Sequence, residues 1–119
     1  TLLDSPYCHL STVQNGFALW RAVAGEAELL TIAAHPTYQR RGIATKLMRQ
    51  WMRAAQDSAT TAFLEVAADN TPATRLYAQF GFEIVARRSA YYKRDDQKVD
   101  ALIMRAPLPF SVSKKSSGG

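Results

Sequence analysis

Between Thr61 and Phe82 the chain reads TAFLEVAADNTPATRLYAQFGF, and this unit limits the fold more tightly than any other. Its first residues are apolar except for Glu65, at a length suited to a buried strand. Asn70-Thr71-Pro72 follows, with a side chain able to cap a helix and a proline suited to its first turn. Ala73, Leu76, Tyr77 and Phe80 then recur at spacings of three to four, which is one face of a helix, and Gly81 stands where a helix stops. FEIVARR reads as the next strand. A strand, a helix and a second strand in succession require a crossover across a sheet face, hence an α/β domain with a mixed sheet.

The preceding residues repeat the arrangement. ELLTIAA is a short apolar strand ending at His35-Pro36, where proline removes a donor and biases the residue before it away from helix. From Gly42 the period turns helical. Ile43, Leu47, Trp51 and Ala54 or Ala55 form one face and Lys46, Arg49 and Arg53 another, predicting a helix over about Gly42 to Asp57. Upstream, CHLSTVQ and FALWRAV flank Asn15-Gly16, whose residues tolerate positive φ, so a hairpin is expected there. Ala24 to Glu28 reads as a second turn or a continuing strand. SAYYKRDDQKVD is polar with two tyrosines and reads as a long loop, and ALIMRA as a final strand closed by Pro107 and Pro109. The expected order is β-β-β-α-β-α-β-β. The tail SVSKKSSGG is polar and aperiodic and is expected to be disordered, which leaves residues 1–109 as the domain and 110–119 as a tail.

The 119 residues suffice for one domain. No run approaches the roughly 18 apolar residues of a membrane span, and no basic segment leading into an apolar core opens the chain, so no signal peptide is expected. A single cysteine, Cys8, excludes an internal disulfide, and with only His9 and His35 beside it no metal site is expected. A reducing cytoplasm is the expected location. The net charge of +5 suits a polyanionic small molecule or a nucleic acid. No aromatic-rich RNA-binding signature accompanies it, so nucleic acid ranks last among the partners.

One stretch addresses the charge directly. In Gln39-Arg40-Arg41-Gly42-Ile43-Ala44, two arginines stand before a helix start, where unpaired N–H groups and a partial positive charge favour an anion. Gly42 lets a ligand approach the backbone. The pattern suits a pyrophosphate but lacks the lysine and hydroxyl of a nucleotide-triphosphatase loop and the three glycines of a dinucleotide fold. It fits equally a plain helix start with solvated arginines.

LLTIAAHPTYQRRGIATKLM, FLEVAADNTPATRLYAQFGF and RRSAYYKRDDQKVDALIM together resemble the Gcn5-related N-acetyltransferase (GNAT) superfamily, and more narrowly the bacterial ribosomal-protein-alanine N-acetyltransferases, over about Glu28 to Pro107. The resemblance implies a mixed central sheet with flanking helices and acetyl-CoA as co-substrate. It implies direct transfer, in a ternary complex, to a protein N-terminal amine, with a ribosomal-protein alanine as the leading acceptor. A lysine or small-molecule amine is the alternative acceptor, and a CoA-binding or partner-binding module without turnover the alternative class. By the same resemblance Ile32, Ala33 and Ala34 face the pantetheine arm. Arg40, Arg41, Gly42, Ile43, Ala44 and Thr45 form the pyrophosphate loop, and Asn70 contacts the cofactor arm. Glu65 is the proton acceptor and Tyr77 the proton donor.

The chemistry needs such groups, because an amine attacks a thioester only when neutral and the thiolate it displaces is quenched by a proton. The plainer readings are a Glu65 solvated or paired with an arginine, a Tyr77 that packs helix on sheet, and an Asn70 that only caps. Tyr91 and Tyr92 either line a peptide groove or pack on the sheet edge. Arg87 and Arg88 read as solvated charge at a strand end, Cys8 as a small buried residue, and Trp20 and Trp51 as core. The superfamily opens with a strand and two helices for which no counterpart is expected here, leaving a sheet edge exposed.

Overall fold

The computed structural model describes residues 7–36 and 42–109, apart from the side chains of Ala90 and Arg94. The expected tail, along with Arg40 and Arg41, lies outside the described residues. Eight elements follow in the expected order. They are β1 (Cys8–Val13), β2 (Gly16–Val23), β3 (Glu26–Ala34), α1 (Ile43–Ala55), β4 (Thr61–Ala67), α2 (Thr71–Gln79), β5 (Glu83–Arg94) and β6 (Gln97–Pro107). The strands form one mixed sheet in the order β1-β2-β3-β4-β6-β5, with β3 and β4 parallel and the other neighbours antiparallel.

Both helices share a core with one face of the sheet. Ile43, Leu47, Met48, Trp51, Met52 and Ala55 of α1 and Tyr77 of α2 are buried, in one cluster with Ala18 and Trp20 of β2, Leu64 and Val66 of β4, and Leu102 and Met104 of β6. The alternation along each strand sends the other set of side chains, among them Arg21, Glu28, Phe63, Glu65, Ile103 and Arg88, to the opposite face. Trp51 and Trp20 are core residues as expected, 6.1 Å apart between ring centroids. The Trp20 indole N–H donates to the Ser11 hydroxyl at 3.1 Å, which satisfies the buried polar member of this packing.

Three details differ from the sequence reading. Asn15 takes the positive φ of 70° at the first hairpin, but Gly16 does not, and instead begins β2 opposite Val13. A Cβ on Gly16 would lie 2.7 Å from Ile43 Cγ2 and 2.9 Å from the Ala33 carbonyl oxygen, so this glycine serves close packing beneath α1. Second, the expected loop SAYYKRDDQKVD is a hairpin. Asp95 and Asp96 turn with φ of 46° and 68°, and β5 and β6 pair through to Arg94 opposite Gln97. Two residues of positive φ match the twist of the strands they join, and polar alternation on an exposed ribbon hid the strands. Third, Cys8 is only partly buried.

The feature that positions the site is a divergence. β3 and β4 pair in parallel only at Glu26 with Thr61, Ala27 with Ala62 and Glu28 with Phe63. Beyond these residues β3 stays paired to β2, through Ala34, and β4 to β6, through Ala67. The facing edges of Leu29–Ala34 and Leu64–Ala67 therefore open a wedge between two strands in the middle of the sheet.

Candidate active site

The wedge and its two mouths contain every described residue that the sequence reading assigned to a site. On the helix-bearing side is a groove of about 450 Å³ lined by Ile32, Ala33 and Ala34 at the end of β3, by Gly42, Ile43, Ala44 and Thr45 at the start of α1, and by Asn70 and Tyr77. Gly42 caps α1 with φ 77°, no side-chain cap hydrogen bond is made at the helix start among the described residues, and no acidic residue lies in the first turn. The open backbone donors and the uncompensated dipole make this end of the groove an anion site in electrostatic terms. A left-handed φ at the cap position is why glycine stands there.

The wedge itself encloses a cleft of about 330 Å³ lined by Ile32, Glu65, Asn70, Tyr77 and Tyr92 among others. Ile32, Asn70 and Tyr77 are common to groove and cleft, so the two spaces adjoin. Asn70 is the N-cap of α2, its Oδ1 accepting from the Ala73 N–H at 3.3 Å. The cap uses only that oxygen, and the Nδ2 donors are left to a ligand. Tyr77 is 7% exposed, its ring set edge-on to Phe82 at 6.1 Å. Burial pushes its phenol above the ordinary tyrosine range, because the phenolate loses water there. The residue is thus both core packing and a protonated hydroxyl bordering the cleft.

Glu65 borders the cleft on one side and, on the other, a groove of about 600 Å³ across the helix-free face, lined also by Tyr7, Arg21, Glu28, Phe63, Arg88 and Ile103. Its Oε2 is buried and has no hydrogen-bond partner among the described residues. The Arg88 guanidinium places its Nη1 3.7 Å from that oxygen, close enough for an ion pair and too far for a hydrogen bond. Arg87 and Arg88, expected as solvated charge, are both exposed on β5, and each also has an acidic partner. Arg87 donates to Asp100 Oδ2 at 2.7 Å, and Arg88 reaches Glu65. Neither partnership is local in sequence. The Arg21–Glu28 ion pair in the wide groove also went unread, although its two residues stand opposite each other in the β2–β3 register.

A carboxylate with an unused lone pair, a buried phenol and an anion-favouring helix end thus lie along one channel that runs from the helix side of the sheet to the open face. That arrangement can hold a long, partly anionic molecule at one end and a basic group at the other, with a proton acceptor and a proton donor between them. Among the described residues no helix is long and apolar enough to cross a membrane, and no three His, Cys, Asp or Glu side chains are grouped to hold a metal ion.

Comparison with known proteins shows the family and agrees with the fold. A model of the acetyltransferase (GNAT) family matches residues 7–82. The chain is 36% identical over 107 residues to the ribosomal protein bS18-alanine N-acetyltransferase of Escherichia coli K12, covering 86% of this chain and 72% of that protein. It is 34% identical over 112 residues to the N-alpha-acetyltransferase RimI of Mycobacterium tuberculosis, covering 87% and 68%. The crystal structure of the ribosomal-protein-S18-alanine N-acetyltransferase from Escherichia coli superposes with a TM-score of 0.81 at 29% identity, over 95% of this chain and 76% of that one.

Proposed function

Because this chain is an N-acetyltransferase of the acetyltransferase (GNAT) family, we propose that it moves the acetyl group of acetyl-CoA onto a protein N-terminal α-amine, an alanine of a ribosomal protein being the leading acceptor. The observation that carries the reading is Glu65 Oε2, a buried carboxylate oxygen without a hydrogen-bond partner among the described residues, set where the central cleft meets the groove of the open face. Such an oxygen is costly to leave unsatisfied, and an ammonium or amine N–H is the group that satisfies it.

The residues suit the co-substrate. The start of α1, with Gly42 to Thr45, meets the pyrophosphate, and Arg40 and Arg41 add their charge there. The unpaired edge of β3 at Ile32, Ala33 and Ala34 offers backbone N–H and C=O groups to the amides of the pantetheine arm, as a further strand would, and Asn70 adds donors. The thioester then comes to the cleft that Glu65 and Tyr77 share. The acceptor arrives from the open face, where Glu65 takes a proton from its amine. An α-amine, with a pKa of about 7.7–8.0, asks less of that carboxylate than a lysine near 10.4. The amine nitrogen bonds to the acetyl carbon, the carbon–sulfur bond breaks, and the Tyr77 hydroxyl passes its proton to the departing sulfur. Transfer within one ternary complex needs no acyl-enzyme, and Cys8 on β1 lines none of the three spaces.

The test is acetyl-CoA binding by calorimetry together with thiol release in the presence of a short peptide beginning with alanine. Glu65→Gln and Tyr77→Phe should each lower kcat by about 10²-fold, in the range general acid–base groups supply, while the Kd for acetyl-CoA stays within a few-fold. Unchanged turnover in both variants would remove the assigned roles. Release with lysine peptides or small amines but not with the alanine peptide would replace the acceptor.

A further inference from the structure

We propose that Arg88 is the positioning residue of Glu65, acting from two strands away to hold the carboxylate ready without occupying the lone pair that receives the acceptor's proton. The inference rests on the catalytic reading of Glu65 above and adds a residue to it.

Arg88 sits on β5 and Glu65 on β4, with β6 between them. Arg88 pairs with Ala101 of β6, and Ala101 pairs in turn with Ala67, two residues beyond Glu65 on the same face. Two strand spacings, roughly 10 Å, therefore separate the backbones, and only a long side chain closes that span. On the intervening β6, Ala101 stands beside Arg88 and Ile103 beside Glu65. The crossing is braced. The Arg88 guanidinium carbon stands 5.2 Å from the centroid of the Tyr91 ring, a cation–π distance, and Tyr91 is itself edge-on to Tyr92 at 5.1 Å. Tyr92 borders the cleft beside Glu65 and Tyr77. The register irregularity between Arg88 and Tyr92 lets the two tyrosines and the arginine gather here, where strict alternation would send neighbours to opposite faces.

The distance supplies the function. At 3.7 Å the guanidinium fixes the orientation of the carboxylate by charge, but it does not fill Oε2 with a hydrogen bond. A bidentate clamp would have spent both oxygens. Held off, the carboxylate is oriented and still able to accept.

The experiment measures kcat and KM for acetyl-CoA and for an alanine-starting peptide in Arg88→Ala, Arg88→Lys, Glu65→Gln and the Arg88→Ala/Glu65→Gln double variant, with thermal unfolding of each. Arg88→Ala should lower kcat about ten-fold, a modest share of what misplacing a catalytic group costs. KM for acetyl-CoA should be unchanged, and Arg88→Lys should recover most of the loss. In the Glu65→Gln background, Arg88→Ala should cost nothing further, because a residue that works through Glu65 has nothing left to position. Additive losses, or a loss that appears only in the peptide KM, would overturn the proposal, as would wild-type kcat in Arg88→Ala beside an impaired Glu65→Gln. Full activity in Glu65→Gln itself would instead remove the catalytic reading on which the proposal stands. A kcat loss that tracks a lowered Tm in both Arg88→Ala and Arg88→Lys would assign Arg88 to the framework and overturn it too.

Discussion

At the scale of single residues, Tyr77 shows how one side chain serves stability and chemistry together. It belongs to the core cluster, and burial raises its phenol pKa. Below the unfolded tyrosine value of about 10 the phenol is neutral in both states, so Tyr77 adds no pH dependence. Above it the unfolded chain gives up the proton first, the unfolded state binds fewer protons than the native one, and stability falls as pH rises through the folded pKa. Unfolding midpoints of the wild type and Tyr77→Phe, compared between pH 8 and 11, should run parallel up to about pH 10 and diverge beyond it, with the wild type falling faster. The hydroxyl is protonated at neutral pH with or without that shift, as a proton donor requires. Glu65 is the contrasting case: it has an ion-pair partner in Arg88, but among the described residues no donor bonds its Oε2, and its meaning is read from what approaches it.

At the scale of elements, the site depends on where α1 begins. The helix is seated on β2 and β3 through Ile43 and Leu47, and Gly16 is the floor beneath both, with Leu47 Cδ1 3.1 Å from where a Cβ would stand. Gly16→Ala should therefore push on the Ala33 carbonyl and the first turn of α1 together, the residues assigned to opposite walls of one groove. The expected destabilisation is about 1–3 kcal/mol, as for overpacking elsewhere, measured as a lower urea midpoint with unchanged slope, and acetyl-CoA binding should weaken with it. The other elements end on residues chosen for local reasons. Asn70 bonds the Ala73 N–H at the start of α2, and Gly81, with φ 91°, lets the chain leave its other end, where the Gly81 and Phe82 N–H groups reach back to the Ala78 and Tyr77 carbonyls.

At the scale of the whole molecule, the sheet is built around an interruption. Most of its strand contacts lie within β1–β2–β3 and within β4–β6–β5, and the two halves meet through three parallel pairs and the helices laid across one face. Edges left open inside a sheet cost hydrogen bonds that a ligand with its own amides can return. Hydrogen exchange should show this directly. The wedge-facing amides among Leu29–Ala34 and Leu64–Ala67 should exchange faster than those of the β4–β6 ladder, and acetyl-CoA should slow the β3 set specifically. Protection of both sets in the free protein would mean that the wedge closes on its own.

The sequence alone settled the order of elements, the two crossovers and the helix faces, because these follow from short-range periodicity and from capping and stop residues that act within a few positions. It also singled out Glu65, Tyr77, Asn70 and the run from Gly42 to Thr45, through spacing and resemblance. It missed the β5–β6 ribbon, where solvent on both faces erases apolar alternation and the turn is made by two aspartates in place of the usual glycine. It misread Gly16, whose reason is a helix arriving from a later part of the chain. It could not join Arg88 to Glu65, which are 23 positions apart (88 − 65) and separated in the sheet by a strand that comes later than both. Only the tertiary structure decided that β3 and β4 part after three pairs, since register and divergence depend on what packs against every strand at once, and that parting is what turns a set of plausible residues into a channel.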